Sequence, residues 1–205
     1  MRTTVLFFSV CLAFLIWFFI FSIWTKDFIP FWPSLSLGCV LLTSIAFTQI
    51  GWPKKFHLHF KDLWLGVLLA GFLYGIFFFG KMGLDFFFPS THQDIQLIYQ
   101  NKSSLSSLWI SGLLLFIIGP GEEIFWRGYV QKECIHLFGL KKGFALSLFF
   151  YTGVHFFAFN LPLLLAAFTC GLFWGLMRLY FRSFLPVILS HAFWDFAVFI
   201  LFPLQ

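Results

Sequence analysis

Seven apolar stretches, at residues 4–24, 34–51, 63–80, 106–134, 143–159, 162–181 and 185–202, fill most of the chain, and the short segments between them hold nearly all its charges. Most are close to the length at which a helix crosses the hydrocarbon core of a bilayer. In lipid every backbone N–H and C=O must be satisfied internally, so stretches of this kind are committed to helices. With 60% hydrophobic and 10% charged residues among 205, the chain has too little polar surface to coat a soluble globule. Its 35 phenylalanines and nine tryptophans suit lipid-facing and interfacial positions. The expected fold is all-α, a polytopic membrane helical bundle of about seven transmembrane helices forming a single integral membrane domain over residues 1–205.

The formal net charge of +5 comes with no Lys/Arg stripe or RNA-binding signature, so no nucleic-acid partner is expected. The basic residues are read instead as contacts to the lipid bilayer. With a cytoplasmic N-terminus, Arg2, Lys54, Lys55, Lys61, Lys132, Lys141, Lys142, Arg178 and Arg182 are cytoplasmic and Lys26, Lys81 and Lys102 are outside, nine against three. That asymmetry predicts a multi-pass protein of the cell membrane, N-terminus inside and C-terminus outside. The first stretch follows Arg2, is longer than a signal-peptide core and has no small-x-small cleavage site after it, so it is expected to be retained. Cys11, Cys39, Cys134 and Cys170 show no CxxC spacing and read as free membrane thiols.

Local punctuation refines this outline. Gly119-Pro120-Gly121 interrupts the fourth stretch and predicts a break or kink, with a fresh helix start just before two carboxylates. The polar segment Lys81–Ser107 has room for a short surface helix, and its Asn101-Lys102-Ser103 matches a glycosylation sequon. Gly71 with Gly75, and Gly171 with Gly175, have the GxxxG spacing that lets helices approach closely, within the bundle or between copies. The sequence leaves the oligomeric state open.

Chemistry concentrates in three of the apolar stretches. Ionisable groups at membrane depth are expensive, and their default reading is a functional site. Glu123 and Arg127 are four apart with the acid N-terminal, the favourable order for an ion pair along a helix. Glu122 points about 100° away from that pair, free to face a cavity as a base. A structural ion pair explains Glu123 and Arg127 but leaves Glu122 unexplained. His155 alone reads best as a satisfied core histidine, and His191 with Asp195, four apart on one face, as a structural hydrogen bond. Three separate apolar stretches bearing such groups shift the balance toward function. His57 and His59 sit among loop lysines and read as headgroup contacts; His92 and His136 are assigned no chemistry.

Glu122-Glu123-x-x-x-Arg127, Tyr151-x-x-x-His155 and His191-x-x-x-Asp195 together resemble the motifs of the CPBP family of intramembrane proteases, which includes CAAX prenyl endopeptidases and bacteriocin-processing proteins. The resemblance covers a core at about 106–200. It departs from the family pattern at Tyr151, where Phe is common. It implies a multi-helical bundle around a polar cavity opening toward the cytoplasmic side. By motif position, Glu122 and His155 activate water for attack on a peptide carbonyl, and His191 and Asp195 stabilise the tetrahedral intermediate. Glu123 and Arg127 support them. The implied substrate is a membrane-anchored or lipidated protein or peptide.

Asp195 strains this assignment, because a carboxylate repels a developing oxyanion. It is protonated, orients His191, or ligates metal. A zinc alternative would draw its ligands from Glu122, His155, His191 and Asp195, but the chain lacks HExxH, and the balance favours chemistry with no cofactor required. Two further functions compete: a proton- or cation-coupled transporter using the same carboxylates, and a non-catalytic membrane scaffold. Matching broken helices in inverted repeats would favour transport, and the sequence shows none.

Overall fold

The computed structural model describes residues 2–25, 27–51, 59–100, 105–181 and 183–204. Lys26, Lys54, Lys55, His57, Arg182 and the Asn101–Ser103 sequon with its Lys102 lie outside the described residues. Among those described, all regular structure is helical: α1 (Arg2–Phe21), α2 (Phe31–Ile50), α3 (Phe60–Phe87), α4 (Thr91–Gln100), α5 (Ser107–Phe138), α6 (Leu140–Gly153), α7 (Leu161–Tyr180) and α8 (Leu185–Leu201). Each of the seven apolar stretches became a helix, and α4 is the short helix anticipated between the third and fourth. Five helices, α1, α2, α3, α5 and α7, are long and apolar enough to cross a membrane, and α8 is a shorter apolar helix. α6 falls short because its pitch tightens into a 3-10 turn over Val154–Ala158. The protein is an integral membrane helical bundle.

The break expected at Pro120 is absent. Helix α5 runs through it, with π-helical turns on both sides, Leu114–Ile118 before and Ile124–Val130 after. A proline inside a helix removes one N–H and drives its ring toward the carbonyl four residues back. The wider turn before Pro120, where the Gly119 N–H bonds the Leu114 carbonyl, relieves that clash without ending the helix. Glu122 and Glu123 therefore sit in mid-helix, not at a fresh start.

Small residues set how closely the helices approach. A Cβ added at Gly119 would lie 2.9 Å from the Ala192 Cα, so only glycine lets α5 touch the α8 backbone. On α7, Cβ atoms at Gly171 and Gly175 would press on Leu148 and Tyr151, and on Phe144, which makes this GxxxG spacing an internal contact with α6. Gly71 and Gly75 on α3 have nothing within 4 Å at that position. The core between the helices is aromatic, with Trp17, Trp32, Trp126 and Trp174 all fully buried. Large apolar side chains such as Phe8, Phe72, Leu108 and Phe116 face outward, as a lipid-facing surface requires.

Successive helices alternate in direction, which sorts the charges between two ends. One end gathers Lys61, Lys132, Lys141, Lys142 and Arg178 and is tied by the Ser183 hydroxyl donating to Asp62 Oδ2. The other holds Asp27, Lys81, Asp85 and α4. There the Asn160 amide donates to the Asp94 carbonyl and the Leu204 N–H to the Tyr99 hydroxyl, docking α4 across the start of α7 and the end of α8.

Candidate active site

Three helices deliver the ionisable side chains, and the crossing at Gly119 brings two of them into register. Glu123, fully buried on α5, accepts from Arg127 Nη1 at 2.9 Å one turn along the same helix. The same Glu123 Oε1 also accepts from His191 Nδ1 on α8 at 2.7 Å. The Glu123–Arg127 pair was legible from its spacing; the link to His191 was not. His191 presents its other nitrogen, Nε2, to Asp195 Oδ2 at 3.4 Å. The imidazole thus lies between two carboxylates, one from each helix.

Packing fixes these groups in place. The Trp174 ring stacks on His191 with centroids 3.7 Å apart, and its Nε1–H donates to the Ser190 hydroxyl. The Arg127 guanidinium lies 4.0 Å above the Tyr151 ring and donates through Nη2 to the Cys170 carbonyl at 3.4 Å. A cation over an aromatic face in a desolvated site is stabilised by about 2 kcal/mol. Gln131 extends the tie from α5 to α7 by donating to the Gly175 carbonyl. Trp174 and Gln131 escaped the sequence reading; the Gly171–Gly175 spacing around Trp174 was the available signal, pointing to a tight α7 contact without saying which side chain filled it.

His155 stands apart from this chain of contacts. It lies in the 3-10 turn after α6, where its Nδ1–H donates to the Tyr151 carbonyl at 2.9 Å, leaving Nε2 as the free ring nitrogen. Trp17 and Phe21 of α1 pack edge-on against the ring. Glu122 has no side-chain hydrogen-bond partner among the described residues.

All four residues read as catalytic, Glu122, His155, His191 and Asp195, line one cavity of about 610 Å³. Glu123 and Arg127 are not in its lining and sit behind it. Beyond these ionisable groups, Ile76 and Phe77 of α3, Ile95 and Ile98 of α4, and Leu163 and Ala166 of α7 supply apolar walls, with Lys81, Asp94, Tyr99 and Asn160 also in the lining. Ile23, Lys81, Leu84, Asp94 and Leu204 of that lining lie at the α4 end of the bundle. At the opposite end the Ser183–Asp62 bond and the tight packing of Gly143 on the Cys134 backbone, and of Gly175 on Phe144, draw the helices together.

Among the described residues no group of three or more His, Cys, Asp or Glu side chains is gathered to hold a metal ion. Both nitrogens of His191 already face carboxylates.

Helices outside the motif-bearing half complete the site. α1 walls His155, α2 contributes Trp32 and Leu35 to the cavity, and the Thr43 hydroxyl donates to the Gly121 carbonyl at 3.2 Å beside the Glu pair. Neither a curated protein nor a solved structure matches the chain. A family model does: residues 104–197 match that of the Rce1-like type II CAAX prenyl endopeptidases, a span that includes all six ionisable site residues. Residues 104–197, a little under half of the chain, are thus similar to the Rce1-like type II CAAX prenyl endopeptidases, a similarity that points to a membrane peptidase.

Proposed function

We propose that the protein is an intramembrane endopeptidase in which Glu122 and His155 activate a water that hydrolyses a peptide bond of a membrane-anchored or lipidated substrate. The observation that carries this reading is the sorting of the six ionisable groups. Four line the cavity, while the two predicted to support them lie behind it, bonded to one another and to His191. A purely structural cluster has no reason to leave Glu122 facing open volume without a hydrogen-bond partner. Burying a carboxylate there is costly unless a ligand or water meets it.

The chemistry follows from these positions. Glu122, helped by the free Nε2 of His155, takes a proton from the water as its oxygen bonds to the carbonyl carbon. The tetrahedral intermediate then collapses, the C–N bond breaks, and the proton passes to the departing amine. Glu123 accepts from Nδ1–H of His191 and so fixes the ring's orientation. A proton between His191 Nε2 and Asp195 supplies the donor for the oxyanion, which answers the repulsion an ionised Asp195 would exert. The engagement of both His191 nitrogens supports a mechanism with no cofactor. The transporter alternative finds less support, since the sequence shows no inverted repeat with matching broken helices.

The test is cleavage of a membrane-anchored peptide library by purified protein, with and without a strong chelator, alongside His155→Ala. Cleavage that survives chelation and is lost in His155→Ala supports the reading. Activity abolished by chelation and restored by zinc overturns the metal-free mechanism.

A further inference from the structure

We propose that Tyr151 is a further catalytic residue, its phenol hydroxyl bonded on one side to the water that Glu122 and His155 activate and on the other to a second water held in a small polar pocket behind the site. This rests on the protease reading above and adds a residue and a bound water to it. Among the described residues, Tyr151 alone lines both the large cavity and a second one of about 10 Å³. A single buried water needs roughly that much room, and about two to four polar partners.

The pocket lies between α5, α6 and α7, and its polar lining supplies both donors and acceptors. Gln131 Nε2 donates to the Gly175 carbonyl, which leaves the amide oxygen as an acceptor. The Ser147 hydroxyl donates to the Phe144 carbonyl at 2.8 Å, so its own lone pairs remain. Arg127 has N–H groups beyond those on Glu123 and the Cys170 carbonyl. Trp126, only 2% exposed, buries its indole N–H with no hydrogen-bond partner among the described residues. Buried donors are rarely left orphaned, and an ordered water is one way to satisfy them.

On the cavity side the Tyr151 ring packs edge-on against that of His155, one turn along, with centroids 5.4 Å apart. A phenol can accept and donate at once. A pocket water that accepts from Arg127 and donates to Gln131 and the Tyr151 oxygen leaves the phenol O–H to donate into the cavity. The hydrolytic water then donates to Glu122 and to His155 Nε2, accepts from Tyr151, and keeps one lone pair aimed at the carbonyl carbon. The family that the motifs resemble commonly carries Phe at this position, so the hydroxyl tunes the reaction in this chain and does not create it.

Tyr151→Phe keeps the ring against Arg127, Trp126 and His155 and removes only the hydroxyl. In the detergent-solubilised full chain cutting a membrane-anchored peptide, it is expected to lower kcat roughly tenfold, the rate equivalent of one hydrogen bond, with KM and Tm near wild type. Ser147→Val replaces one partner of the pocket water with a methyl; it is expected to lower kcat by itself and to add nothing to Tyr151→Phe, because both act through one chain of bonds. Where Ser147→Val does not fold, Ser147→Ala removes the same acceptor and carries the same test. Wild-type kcat in Tyr151→Phe, or full additivity in the double variant, overturns the proposal and leaves the protease reading standing. A crystal structure is expected to show a water in the pocket within hydrogen-bond distance of the Tyr151 oxygen, and a dry pocket overturns the proposal. No cleavage by the wild-type protein overturns the protease reading and the catalytic role of Tyr151 with it.

Discussion

At the scale of single residues, the account turns on which side chains face the cavity and which hold them there. Asp195 distinguishes the competing roles most sharply. If it supplies a proton to the oxyanion through His191, then Asp195→Asn keeps a donor and retains cleavage, whereas Asp195→Ala loses roughly 10²- to 10³-fold in kcat. Loss in both variants would mean that a carboxylate is required as such. Trp174 is a positioning residue, stacked on His191. Trp174→Leu is expected to lower kcat with little change in KM and to be partly rescued by Trp174→Phe, which restores a stacking ring. The sequence made the local part of this site legible, because Glu123 with Arg127 and His191 with Asp195 are each one helical turn apart. It could not show Glu123 reaching His191 or Trp174 covering it. Those contacts depend on how α5, α7 and α8 cross, which no spacing within one helix encodes.

At the scale of elements, helix approach is governed by a few positions without a side chain. Gly119→Ala forces a Cβ to 2.9 Å from the Ala192 Cα and should push α8 off α5, costing about 1–3 kcal/mol and separating Glu123 from His191. Gly71→Ala meets nothing within 4 Å, so it should leave both thermal stability and activity near wild type. A shared Tm measurement on the two variants checks the contrast; equal effects would show that the α5–α8 crossing is not set at Gly119. Helix existence was readable from the apolar stretches, and so was α4. The continuity of α5 was not, since the π-helical turns that accommodate Pro120 leave no mark that a residue-by-residue reading detects. The shortness of α6 was likewise hidden, because the 3-10 turn at Val154 lies inside an unbroken apolar run.

At the scale of the whole molecule, the first three helices matter as much as the half that matches the peptidase family. α1 packs on His155, α2 on the Glu pair through Thr43, and α3 forms a wall of the cavity with its Gly66 tight against Leu189 of α8. The apolar stretches were plain in the sequence, but the cavity between the helices required the fold. The central claim is that adjacent glutamates have opposite duties, Glu122 in the cavity and Glu123 behind it. The most direct measurement pairs Glu122→Gln with Glu123→Gln and records cleavage rate and thermal stability for both. Glu122→Gln is predicted to lose roughly 10²- to 10⁴-fold in rate at nearly wild-type stability. Glu123→Gln is predicted to lose stability, by on the order of 3–5 kcal/mol, as Arg127 is left buried without its partner. Wild-type cleavage by a stable Glu122→Gln protein, or full stability in Glu123→Gln, would contradict the account.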